Sequence, residues 1–347
     1  MNFFEIIPND VLMFRKPKPF HSGGGAVSEW PLPTALLGAL RTAVGDKKGM
    51  WDKPHKLPFE VAGPWACLHD NGALNPLYPA PLLLQTGKQN NEKHSMRLQP
   101  VQDKKHDGLA TLWPEKIFEG KPEAPGFLNV KGMETFLSNS TPVISDFIDK
   151  GDIWALERRV GIGMDNVART AEDGKLYSAS FMRLQEKAAL VAGCSLNPAE
   201  TPAHFKFGGE GRTVSIKPLK GEDILPKAAK IDENRILFYL ASPAFFGNGW
   251  IPGWLAPQTL TGTINGVNVK LIAAAVGKPQ VVGGFDLNRG GPKPIRRAVP
   301  AGSCYLFETA GSAVTLAALH GTCISENDEN SRHATSGMGM VFIGKWK

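Results

Sequence analysis

Apolar and polar residues alternate in short blocks along most of this chain, and only one long stretch repeats at helical spacing. Phe3 to Ile7 and Val11 to Arg15 are rich in aromatic and β-branched residues, which predicts two extended segments at the N-terminus. Leu36, Leu37, Leu40 and Val44 then share one helical face, and Pro33 suits the first turn of that helix. Gly38 inside it costs roughly 1 kcal/mol against Ala, and Arg41 borders the apolar stripe. Short strands are predicted at 59–68 and 77–85, a pair of short helices within 133–147, and further strands at 176–184, 188–191, 235–241, 267–276, 281–285 and 304–307.

Strands in groups with few helices between them predict an α+β fold, not a doubly wound parallel sheet. The 347 residues fit two domains, and the turn-rich stretch from Ser195 to Pro202 places the boundary between 1–200 and 201–347. Gly (38) and Pro (27) are abundant but stay below the disordered range, so they read as turns between short strands. The polar stretch from Lys88 to Gly108 reads as a surface insertion with solvated charges. A formal charge of +6 suits a polyanionic partner without demanding one. Cys67, Cys194, Cys304 and Cys323 lie far apart with no C-x-x-C pair, which argues against a zinc ribbon or disulfide framework and for buried, reduced thiols. The N-terminus lacks the pattern of a secretory leader, and apolar runs such as 271–276 are too short to cross a bilayer. A cytoplasmic protein without metal or cofactor is the expectation.

Three segments carry candidate chemistry. The last eleven residues, GMGMVFIGKWK, place Gly337, Gly339 and Gly344 beside Lys345, Trp346 and Lys347. Glycines let another backbone approach, and a basic, aromatic flank offers charge with a stacking face. A glycine turn closing the last strand explains the same residues. The second segment runs from Trp154 to Leu184. Two partly apolar runs flank a polar loop with Gly161, Gly163, Asn166, Arg169 and Gly174, which predicts a long hairpin with an irregular tip. Its five acids and five bases from Asp152 to Arg183 cancel, so it is no electrostatic patch. It does offer Ile162 and Met164 as wedges and Arg158, Arg159 and Arg169 for phosphates. The third segment, Val281 to Ser303, is a strand followed by a cationic loop with Arg289, Lys293, Arg296 and Arg297, as in a phosphate-contacting arm.

Several chemistries fall away. Gly161-x-Gly163 lacks the third glycine and the helix of a dinucleotide fingerprint, and Gly23-Gly24-Gly25 lacks the Gly-Lys-Ser/Thr ending of a P-loop. Gly283-Gly284-x-Asp286 has no second carboxylate nearby for two-metal chemistry. His21, in its glycine-rich loop, is the one histidine placed to act as a general acid or base in RNA cleavage. A loop histidine more often contacts solvent or RNA.

In combination and in order, these pieces resemble the RAMP superfamily of CRISPR-associated proteins, and within it the subunit-three family of the type III-B Cmr effector complex. The resemblance rests on Pro8-Asn-Asp-Val-Leu-Met-Phe-Arg with Lys18-Pro-Phe20, the helix from Pro33 to Thr42, and Arg159-Val-Gly-Ile-Gly-Met-Asp165 with Thr170 and Gly174-Lys-Leu-Tyr177. Phe207-Gly-Gly-Glu-Gly-Arg212, Val282-Gly-Gly-Phe-Asp286, Arg297-Ala-Val-Pro-Ala-Gly302 and the closing glycine loop complete it. Phe285 stands where the family often has Trp. The resemblance implies two ferredoxin-like (RRM-like) domains with antiparallel sheets, a thumb-like hairpin over 158–177 and a C-terminal glycine-rich loop. It implies a subunit without nuclease activity that holds the 5′ tag of the CRISPR RNA. Its protein partners would be the large polymerase/cyclase-like subunit and the backbone RAMP subunit. The expected RNA-binding residues are His21, Arg41, Arg158, Arg159, Met164, Asn166, Arg169, Arg296, Arg297, Gly337, Gly339 and Gly344. The alternatives are a metal-independent endoribonuclease acting through His21, and an architectural subunit that never touches RNA.

Overall fold

Strand-forming blocks dominate the folded chain as they dominate its sequence. The computed structural model describes residues 1–15, 25–50, 57–70, 72–165, 167–219, 224–231, 234–286, 290–311, 313–327 and 333–347. The fold is mostly antiparallel sheet with few helices. It divides into two compact units interleaved along the chain: 1–72 with 151–220 and 281–296, and 73–150 with 221–280 and 297–347. The turn-rich stretch from Ser195 to Pro202 lies within the first unit.

In the first unit the strand order is Val61–Asp70, Ala188–Cys194, Asn2–Pro8, Thr213–Pro218, His204–Lys206, with every neighbour antiparallel. Helix α1, Pro33–Lys47, has Pro at its N-terminus and buries Leu36, Leu37, Leu40 and Val44 as the spacing predicts. It packs on the Val61–Asp70 strand, whose first seven residues are all buried. Segment 11–15 forms isolated bridges, Leu12 to Met182 and Arg15 to Ser28, in place of the predicted strand. The predicted hairpin is present. An outgoing strand, Trp154–Met164, pairs antiparallel with a returning strand, Ala171–Leu184, and Gly25–Val27 adds to it in parallel.

The second unit holds a seven-stranded sheet in the order Leu255–Ala256, Thr261–Ile264, Val267–Ala275, Cys304–Ala310, Arg235–Leu240, Met340–Lys345, Thr322–Cys323. The predicted 77–85 strand is two strands, Ala73–Pro79 and Leu84–Gln89, because Pro79 and Pro81 interrupt it. The 88–108 stretch, read from sequence as a surface insertion, is built into a sheet. Glu92–His106 is one long strand of a four-stranded sheet with Leu109–Pro114, Leu84–Gln89 and Glu119–Glu123. Within it Arg97 is buried, donates to the Phe136 carbonyl at 2.9 Å and lies over the Phe136 ring. Burial lowers its guanidinium pKa to about 10. The predicted helix pair is helix α2, Val130–Leu137, followed by a single 3-10 turn at Ile144–Asp146. The Asn129 side chain caps α2 by accepting from Gly132 N at 2.7 Å.

Candidate nucleic-acid interface

Strand alternation gives the hairpin two different faces. Leu156, Arg158, Val160, Ile162 and Met164 lie on one, opposite Met182, Ser180, Ser178, Leu176 and Ala171. Among these, Val160 is 63% exposed, Leu176 60% and Ile162 51%, so an apolar stripe meets water. Arg158 is the single charge within it. The other face carries Glu157, Arg159 and Gly161 opposite Phe181, Ala179 and Tyr177. A Cβ on Gly161 would run into the Tyr177 ring, and one on Gly163 would stand 2.7 Å from the Lys175 Cβ. The two glycines are therefore seats on which Tyr177 and Lys175 lie across the ribbon. Tyr177 stays 44% exposed, which makes its ring an accessible stacking surface. Sequence pattern alone gives Tyr177 no role; its pairing with a glycine is the signal that could have found it.

The tip is a self-bonded loop. Asp165 N donates to Thr170 O at 2.9 Å, and Arg169 N to Asp165 O at 2.8 Å. The Asp165 carboxylate accepts from Ala168 N and Val167 N, which lowers its pKa. Arg169 sits in the left-handed region with φ of 55° and is exposed. Neither Arg158 nor Arg169 ion-pairs with another described residue, which leaves both guanidiniums available to a polyanion. Asn166, and His21 elsewhere, lie outside the described residues.

Arg159 has a different situation from its neighbour Arg158. Its Nε donates to Glu157 at 2.7 Å and its Nη2 to Asp10 at 3.0 Å, while its guanidinium lies 5.2 Å from the Phe181 ring centre. Hydrogen bonds from Arg183 and then Arg159 hold the Glu157 carboxyl below its ordinary pKa. Arg159 thus belongs to an internal ion-pair cluster, away from the apolar face. Arg41, on α1, is half-buried with its guanidinium 5.9 Å from the Phe59 ring centre. Its buried Nε has no partner among the described residues, and burial lowers its pKa. Arg296 is half-buried and Arg297 exposed, on a three-residue strand to Ala298.

The three C-terminal glycines lie in the second unit, and all are buried. The Gly337 carbonyl accepts from Ser242 Oγ at 2.7 Å. A Cβ on Gly339 would come 2.7 Å from Ser325 N, and one on Gly344 2.7 Å from the Leu137 carbonyl at the end of α2. Trp346 is 2% exposed and donates Nε1–H to Phe307 O at 2.9 Å, under the Arg235 guanidinium. The expected stacking face at Trp346 is therefore absent from the surface. The glycines serve close packing of this chain on itself.

Among the described residues, no helix is long and apolar enough to cross a membrane. Residues 4–346 match the family described as CRISPR-associated protein (Cas_Cmr3). No curated protein matches the chain. Among solved structures the fold is similar to a chain of the type III-B Cmr-beta complex bound to cognate target RNA and AMPPnP. The TM-score is 0.53, with 18% identity over 88% of this chain and 86% of that one. The same values hold for Cmr-beta bound to cognate target RNA alone. The chain belongs to this CRISPR-associated Cas_Cmr3 family.

Proposed function

From that family membership, we propose that this chain is the subunit-three component of a type III-B CRISPR effector complex in antiviral defence. In this reading it is a non-catalytic RNA-binding subunit that holds the 5′ tag of the CRISPR RNA. It joins the large polymerase/cyclase-like subunit to the backbone RAMP subunit. Its two sheet-rich units are variants of ferredoxin-like (RRM-like) domains, and the 154–184 hairpin is the thumb. The observation that carries the proposal is the hairpin's make-up. A hydrogen-bonded ribbon presents exposed Arg158 and Arg169, neither ion-paired with a described residue, together with exposed Ile162, Met164 and Tyr177. Phosphate contacts from the arginines fix register on a single strand, and apolar or aromatic side chains separate or stack its bases. Half-buried Arg41 and exposed Arg297 are further candidate phosphate contacts.

Filter binding of a synthetic RNA, tag followed by guide sequence, tests this across a salt series. Replacing Arg158 with Gln is expected to weaken binding and lower the salt slope by about 1; an unchanged slope removes Arg158 from the interface. The exposed stripe Leu156, Val160, Ile162 and Leu176 favours a second reading, in which the hairpin serves only as a protein-docking ribbon. Crosslinking of the tag exclusively to neighbouring subunits in the assembled complex would select that reading. Metal-free, site-specific cutting of repeat RNA that His21→Ala abolishes would select an endoribonuclease instead.

A further inference from the structure

The motif Pro8-Asn9-Asp10 carries the family resemblance but has no part in the reading above. In the fold, Asp10 is a hub. Its Oδ1 accepts from Arg183 Nη2 at 2.9 Å, and its Oδ2 from Arg159 Nη2 and Arg212 Nη1, each at 3.0 Å. Those arginines come from the outgoing strand, the returning strand and the 207–212 turn. Glu157 closes the circuit by accepting from Nε of Arg159 and Nε of Arg183. Arg159 and Arg212 both lie over the buried Phe181 ring, at 5.2 and 4.7 Å from its centre.

The backbone around Asp10 is fixed to the returning strand, to the 207–212 turn and to the strand that follows the turn. Asn9 N donates to Thr213 O at 3.1 Å, and Leu12 and Met182 exchange two hydrogen bonds of 2.9 Å. Gly209 N donates to Met13 O at 2.8 Å. At Gly208, with φ of 94°, a Cβ would stand 2.7 Å from that same carbonyl, so only glycine lets the turn approach. The cluster grips the hairpin near its base, at the Ala155–Arg183 and Arg159–Ala179 pairs. Beyond it the ribbon runs on to Met164.

We propose that Asp10 is a positioning residue for the hairpin: one carboxylate ties both strands and the 207–212 turn into a rigid base, which aims the tip at RNA. The aim, though not the rigidity, rests on the RNA-facing reading of the tip. The proposal reverses the sign expected from charge alone. Asp10 is an acid among arginines, so its removal should strengthen attraction to a polyanion. Loss of positioning weakens binding instead.

The test compares full-length Asp10→Asn and Asp10→Glu with the unmodified chain in two measurements. The first is binding to a tag–guide RNA carrying 2-aminopurine at the first guide nucleotide, whose fluorescence reports unstacking. Asp10→Asn is expected to bind roughly fivefold more weakly with a smaller fluorescence rise, and Asp10→Glu to recover part of both. The second is hydrogen exchange without RNA. In Asp10→Asn, amides of 156–164 are expected to exchange faster while 2–8, 61–70 and 188–194 keep their protection, which also confirms folding. Unchanged exchange at 156–164, or RNA binding equal to or tighter than that of the unmodified chain, overturns the proposal. An unmodified chain that binds no tag RNA defeats the RNA reading, and the exchange comparison still decides whether Asp10 fixes the hairpin.

Discussion

Gly161 and Gly163 in the hairpin and Gly339 and Gly344 near the C-terminus are all places where a Cβ would collide, but with different atoms. In the hairpin the obstacles are the side chains of Tyr177 and Lys175, which can swing away into solvent. Near the C-terminus they include main-chain atoms, Ser325 N beside its Oγ and the Leu137 carbonyl, held inside a packed unit. The first pair shapes a surface that other molecules can reach. The second closes a core. A glycine in a sequence announces close approach, and its surroundings decide what approaches.

That contrast is sharpest in stability. Trp346→Ala empties a fully buried site and leaves the Phe307 carbonyl without its donor. It is expected to destabilise the chain by about 3–5 kcal/mol in denaturant unfolding. Gly344→Ala forces a methyl against the Leu137 carbonyl and is expected to cost about 2 kcal/mol. Gly161→Ala, which only displaces the Tyr177 ring, is expected to cost at most ~1 kcal/mol while weakening tag binding. Equal costs at Gly344 and Gly161 would erase the distinction between the two regions.

A smaller effect concerns pH in the second unit. His320 accepts from Ile343 N at Nδ1 (3.1 Å), so its proton sits on Nε2, which donates to the Pro226 carbonyl at 2.7 Å. Burial lowers its pKa below the ordinary 6.5. The folded state therefore holds fewer protons than the unfolded chain just below 6.5, and stability falls as pH drops through that window. A His320→Gln variant is expected to lose this slope in unfolding midpoints measured from pH 7.5 downward; an identical slope in both chains would remove His320 as its source.

Most strands were legible because their apolar blocks are short and bounded by turn residues. Helix α1 was legible from Pro33 and the spacing of Leu36, Leu37, Leu40 and Val44. The strand Glu92–His106 was not, because Lys93, His94, Lys104 and Lys105 mask a pattern carried only by Met96, Leu98 and Val101. Nor does sequence reveal that Arg97 is buried, since its acceptor is a carbonyl 39 residues away. The hairpin was readable as a hairpin, with Arg158, Ile162 and Met164 on one exposed face as alternation requires. Arg159 looked equivalent to Arg158, but adjacent strand residues face opposite ways, and its partner Asp10 lies 149 positions away. Trp346 looked like a stacking platform because a terminal Lys-Trp-Lys gives no hint of the sheet that covers it.

Photo-crosslinking tests the account most directly. The full-length chain would be bound to tag–guide RNA carrying 4-thiouridine through the tag, irradiated, and its adducts mapped by mass spectrometry. The account predicts adducts within 156–177, at Met164 and Tyr177 foremost, and none within 337–347. Adducts confined to the C-terminal glycine segment, with the hairpin unlabelled, would contradict it.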